Sequence, residues 1–247
     1  MIIVYDSGLG GLSLFKLLKE KGVKLSYLAD NKFFPYGTKN DGELIKIIER
    51  VIDYLLDKGY HKIILACNTA STIYMKYLDK RYNKVVVPII MSTIKELEKY
   101  PNVKTVGIIA TNNVAKNDIY GDLIRDTYKL KTITIPCSDL VDLCEQMDRN
   151  KIIAYMQEHF QELNKEIDAL ILGCTHFNLI EEEIKAFFNA RIPIILSGRA
   201  LLDELELNCE ENSDEYIYLT SYNEEYIKKI LYLHPTLTSC KFESLNI

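Results

Sequence analysis

A chain of 247 residues with 48% hydrophobic, 26% charged and 10% aromatic residues has the make-up of a soluble globular protein, long enough for one large α/β domain or two small ones. A formal net charge of -5, with no run of Lys or Arg, excludes a phosphate-binding stripe, so nucleic acid is not an expected partner and an anionic ligand must be held by local donors. No apolar stretch approaches the length that spans a bilayer, and no basic or apolar leader precedes the first strand, so a membrane role is dropped and the cytoplasm is the expected location.

Ile2 to Tyr5 reads as a strand, and Gly8-Leu9-Gly10-Gly11 turns it into a helix marked by Leu12, Phe15, Leu17 and Leu18. Leu25 to Leu28 is a second strand ending at Asp30, followed by a loop at Phe33-Phe34-Pro35-Tyr36-Gly37. Leu44, Ile47, Ile48, Val51, Ile52, Leu55 and Leu56 then trace one face of a long helix closed by Gly59. Lys62 to Ala66 is a short, continuously apolar strand that delivers Cys67-Asn68-Thr69 to a helix start, and Val85 to Ile90 reads as a further strand. A second series follows: Val106 to Thr111, Thr132 to Ile135, and Ala169 to Gly173, which leads into Cys174-Thr175-His176. Strands alternating with helices predict βαβ units, and hence an α/β fold with parallel sheets.

The two series rhyme. In each, an apolar strand ends in a small residue, then a cysteine, then polar residues and a helix: Ala66-Cys67-Asn68-Thr69 and Gly173-Cys174-Thr175-His176. Two half-domains facing each other would bring both thiols to one cleft, at the carboxyl ends of strands where open parallel sheets bind ligands. A lone cysteine is most often a small buried hydrophobe; here the helix start after each one is expected to lower the thiol pKa and make thiolate available near neutral pH. Cys137, Cys144, Cys209 and Cys240 share fewer of these features and read as structural. Without a CxxC pair or a second close Cys/His pairing, neither a disulfide framework nor a zinc site is expected.

Other motifs have rival readings. Gly8-Leu9-Gly10-Gly11 with Asp30 downstream suggests a dinucleotide fingerprint, but Ser13 stands where the third Gly belongs and Asp6 would repel a pyrophosphate, so a tight turn is the better reading. His176 can be a surface histidine, a base for Cys174, or a base for a nucleophilic Cys67 in a hydrolase. Tyr216, Tyr218, Tyr222 and Tyr226 read as packing and surface residues, since no basic patch interleaves them.

Taken in register, Asp6-Ser7-Gly8-Leu9-Gly10-Gly11, Pro35-Tyr36-Gly37, Cys67-Asn68-Thr69-Ala70 and Gly173-Cys174-Thr175-His176 resemble the glutamate racemase branch of the aspartate/glutamate racemase superfamily over nearly the whole chain. The resemblance implies a cofactor-independent, two-base racemisation of L- and D-glutamate that supplies D-glutamate for peptidoglycan. Cys67 would act on D-glutamate and Cys174 on L-glutamate, and two bases on opposite faces of one carbon give a physical reason for two cysteines. It further implies that Asp6 assists Cys67, that His176 assists Cys174, and that Glu145 is a further catalytic acid. Substrate would be bound by Asp6, Ser7, Tyr36, Gly37, Asn68, Thr69, Thr111, Thr175 and His176, without a metal, and the resemblance suggests a homodimer, the assembly common among relatives. Val114 and Asn117 stand where the family commonly has Thr and Ser near the substrate's side-chain carboxylate; Phe177-Asn178, Ser138 and Leu196 are further departures. The expected architecture is two pseudo-symmetric α/β half-domains, residues 1–93 plus 206–247 and residues 94–205, with the site between them. The rivals are a racemase for aspartate or another amino acid, a family member turned to binding or regulation, and a cysteine hydrolase.

Overall fold

The computed structural model describes residues 1–204, 215–245 and 247. Ten strands occur among them: β1 (Ile2–Asp6), β2 (Ser26–Ala29), β3 (Lys62–Leu65), β4 (Val86–Pro88), β5 (Thr105–Ala110), β6 (Lys131–Pro136), β7 (Ala169–Gly173), β8 (Ile194–Ile195), β9 (Tyr216–Leu219) and β10 (Lys241–Ser244). They form two sheets, ordered β10-β9-β2-β1-β3-β4 and β6-β5-β7-β8. Every pairing is parallel. The α/β class expected from the strand and helix alternation is the class observed.

Alternation along the strands explains how the two sheets share a core. Side chains on successive strand residues point to opposite faces. Val4 on β1, Ile64 on β3, Val106 and Ile108 on β5, and Ile171 on β7 all join one apolar cluster that runs across both sheets. Their neighbours face the other way. Ile3, Tyr5, Ile63 and Leu65 pack with the long helix Asp41–Asp57; Ile109, Leu170 and Leu172 pack with helices Ser138–Gln146 and Arg149–His159. Strands buried on both faces need no polar alternation, which is why they read as continuous apolar runs.

The long helix has the predicted form. Leu44, Ile47, Ile48, Val51, Ile52 and Leu55 are its buried stripe, the Asn40 side chain accepts the Glu43 N–H at its start, and Gly59 follows its end at φ 86°. Each such aliphatic side chain contributes about 1.5–3 kcal/mol of gross burial energy.

One expectation about the elements is corrected. The strand read over Val85 to Ile90 stops at Pro88, and Ile89 opens the helix Ile89–Lys95; apolar residues serve strand and buried helix equally, so composition alone does not separate them. Tyr216 and Tyr218, read as packing and surface residues, are half-buried on β9 of the first sheet with their rings stacked 5.4 Å apart. Cys209 and the 205/206 boundary lie outside the described residues. No helix among the described residues is long and apolar enough to cross a membrane.

Candidate active site

Cys67 follows the carboxyl end of β3 and Cys174 follows the carboxyl end of β7, so the thiols come from different sheets. Both line one small cavity of about 40 Å³, with Ser7, Tyr36, Gly37, Asn68, Thr69, Thr111, Thr175 and His176 among its walls. Two expected site residues lie behind that wall. Asp6 spends its carboxylate on Gly8 N–H at 2.9 Å and the Thr175 hydroxyl at 3.1 Å. Glu145 stands behind His176, accepting its Nε2–H at 2.8 Å.

Close approach between the halves shapes the cavity. Gly10 lies so near the 175–176 turn that a Cβ on it would be 2.6 Å from His176 N, so the glycine-rich turn serves packing across the cleft. Asp30, the other half of the dinucleotide reading, is occupied by Tyr36 and Thr220 hydroxyls, which removes that reading. Thr69 and Thr111 hydroxyls meet at 3.0 Å across the halves. Asn68 is held at both ends of its amide, giving Nδ2–H to Ser197 Oγ at 2.9 Å and receiving the Tyr120 hydroxyl at 2.5 Å. Tyr120 and Ser197 carry no motif in the sequence, and only the fold reveals their part in holding Asn68.

The polar support of the thiols is unequal. Cys67 Sγ has Ser7 Oγ at 3.4 Å; Cys174 Sγ has His176 Nδ1 at 4.0 Å, and the His176 ring is flanked by Phe34 with centroids 5.3 Å apart. The expectation of thiols lowered by helix starts is overturned. Burial, reinforced by the Asp6 charge, pushes the Cys67 thiol up to about 12, against the pull of the Ser7 hydroxyl and nearby backbone N–H groups. Burial raises Cys174 well above its ordinary value too, with the His176 N–H opposing and Cys67 and Asp6 adding to it. A six-residue helix or a 3-10 turn after the cysteine supplies too little to offset desolvation of a thiolate. Asp6 is itself raised by burial, moderated by His176, Gly8 and Thr175. Glu145 falls below its ordinary value despite burial, because His176 and Lys229 both hold its charged form.

Phe34, Pro35, Thr38, Ser138, Asp139, Val141 and Asp142 also line the cavity and were not expected there. The sequence carried one hint, Ser138 standing in place of a usual Pro. Val114 and Asn117 do not line it: Val114 is in the core, and Asn117 donates to Asn113 and Asp41. No Lys or Arg lines the cavity, and no three His, Cys, Asp or Glu side chains among the described residues converge to hold a metal.

Two parallel sheets thus bring a pair of buried thiols to one cavity, the architecture of an α/β protein with its site at strand carboxyl ends. A profile of Asp/Glu/hydantoin racemases matches residues 24–205, and the chain belongs to that family. Within it, similarity runs to glutamate racemases. The chain is 32% identical to that of Aliarcobacter butzleri over 224 residues, covering 87% of this chain and 85% of the relative. It is 28% identical to that of Hydrogenobaculum sp. over 239 residues, 93% and 91% of the two chains. The fold superimposes on a glutamate racemase isoform from Bacillus anthracis with a TM-score of 0.91, covering 100% of this chain and 97% of the other at 23% identity.

Proposed function

We propose that this isomerase interconverts L- and D-glutamate without a cofactor, with Cys67 and Cys174 as paired acid and base. The observation that carries the reading is the convergence of the two buried thiols, one from each sheet, on a single cavity walled by hydroxyls and amides. Both thiols start neutral, so each half-reaction begins by moving a proton. With L-glutamate bound, the Cys174 proton passes to His176 Nδ1, and Glu145 balances the imidazolium. The Cys174 thiolate then takes the α-proton while Cys67 returns its own proton to the opposite face. The Cys67 thiolate so formed is held by the Ser7 hydroxyl and the N–H groups of Ser7 and Ala70. Loss of the extra His176 proton to solvent and return of one from solvent to Cys67 restore the starting enzyme, and D-glutamate bound to the form that carries the Cys67 thiolate and the imidazolium runs the same steps in reverse. Closure of residues 1–93 plus 206–247 on residues 94–205 excludes water, and the cytoplasmic product feeds peptidoglycan synthesis.

Asp139 and Asp142 on the cavity wall, with no Lys or Arg beside them, favour a second reading: racemisation of an amino acid lacking a second carboxylate. The test is α-proton exchange by NMR in D2O, offering both enantiomers of glutamate, aspartate and glutamine to wild type, Cys67→Ala and Cys174→Ala. Exchange of glutamate by wild type, with turnover lost in both variants, is expected. Exchange of glutamine alone supports the second reading, and no exchange with any of them refutes both.

A further inference from the structure

The C-terminal helix Glu224–Leu233 connects β9 to β10 and so belongs with the first sheet. It sends Lys229 to the other half of the molecule, where Nζ lies 2.6 Å from Glu145 Oε2. The other Glu145 oxygen, Oε1, takes His176 Nε2 at 2.8 Å. A chain of contacts therefore runs from Lys229 through Glu145 and His176 to the Cys174 thiol. Little water reaches it: the His176, Glu145 and Lys229 side chains are 2%, 13% and 28% exposed.

A carboxylate only accepts, so the ring nitrogen facing Glu145 must carry the proton, which leaves Nδ1 of a neutral ring with its lone pair on the side of Cys174. That arrangement persists only while Glu145 stays charged without drawing a second proton onto the ring. The other ionisable groups around Glu145 do not provide the compensation. Cys144 precedes it on its own helix, Asp6 comes from β1, Tyr27 from β2, and Tyr226 lies one turn before Lys229 with its buried hydroxyl lacking a partner among the described residues. All are neutral or negative. Lys229 is the cation that the geometry supplies beside His176.

We propose that Lys229 is a positioning residue: by holding the outer oxygen of Glu145 from the opposite half, it fixes the His176 ring with Nε2 protonated and Nδ1 turned to Cys174, and it ties that geometry to closure of the two halves. The catalytic consequence rests on the two-thiol reading above. Removing the ammonium leaves Glu145 to draw its counter-charge from the ring. A doubly protonated ring can no longer accept the Cys174 proton.

The test compares wild type, Lys229→Met and Lys229→Arg by 15N NMR of the histidine rings, with His176→Gln to assign the signal, alongside racemisation over a pH series. Wild type and Lys229→Arg are expected to give the neutral Nε2–H pattern at one common pH, while Lys229→Met moves towards the doubly protonated pattern. In Lys229→Met the acid limb of kcat/KM should move to higher pH, because the ring then supplies the counter-charge to Glu145; kcat should fall with KM little changed. A Lys229→Met protein with the wild-type ring pattern and pH profile overturns the proposal, as does a folded Lys229→Arg that behaves like Lys229→Met. If the ring pattern changes but the wild type turns over no amino acid, the reaction reading fails while the positioning role stands.

Discussion

Replacing Gly10 by Ala tests how tightly the two halves must close. The new Cβ would sit 2.6 Å from His176 N and 2.7 Å from the Thr175 carbonyl carbon, with Thr175 Oγ1 also in conflict. Backbone atoms have no rotamer with which to escape, so the 175–176 turn must retreat by about 0.8 Å to reach ordinary contact at 3.4 Å. That turn carries Cys174 on one side and His176 on the other. A displacement near 1 Å at reacting groups costs about 10²-fold in rate, equivalent to about 2.7 kcal/mol of transition-state stabilisation, and overpacking of this kind costs about 1–3 kcal/mol of stability. Polarimetric assay of glutamate interconversion should therefore give a kcat about 100-fold below wild type, with a lowered Tm. Gly42→Ala is the control: only Asn40 Oδ1 at 3.5 Å lies near its Cβ, and it should gain about 0.5–1 kcal/mol from helix propensity with unchanged kcat. A Gly10→Ala enzyme with wild-type kcat and Tm would mean that the glycine turn does not abut the Cys174 turn, and the argument would fail.

Asp6→Asn should slow turnover yet raise Tm at pH 7. Burial raises the Asp6 carboxyl above its ordinary value, so its charge costs stability in full above the folded value, a cost that declines as pH falls below the folded value and is gone below the unfolded one; calorimetry should show the variant's advantage shrinking on acidification, and a lower Tm at pH 7 contradicts it. With the Cys67 thiol pushed up to about 12, its alkylation by iodoacetamide, followed by peptide mass spectrometry, should accelerate about tenfold per pH unit from about pH 7 to 9. A plateau near neutrality would mean that a stable thiolate exists there.

Much of the fold is legible in the residues because parallel strands buried on both faces announce themselves as short apolar runs, and because the stripe from Leu44 to Leu55 has a helical period. The C-terminal strands escape that logic. Tyr216 and Tyr218 are half-buried near a sheet edge, and the assignment of their strand depends on pairing with β2, 190 residues away in the chain. Ile89 and Ile90 escape it for the opposite reason, since a buried helix and a buried strand use the same apolar residues.

Local periodicity and short-range spacing are enough to specify the α/β class and the repeated strand-cysteine pattern. Which groups face the cavity, and in what protonation state, follows from contacts between distant parts of the chain. Asp6 and Glu145 stand behind the wall, Lys229 reaches Glu145 from the far end of the chain, and both thiols are raised where local reasoning had them lowered. The physical reason is common to all of these. Desolvation and charge pairing depend on what surrounds a group in space, and residues far apart in sequence supply most of those surroundings.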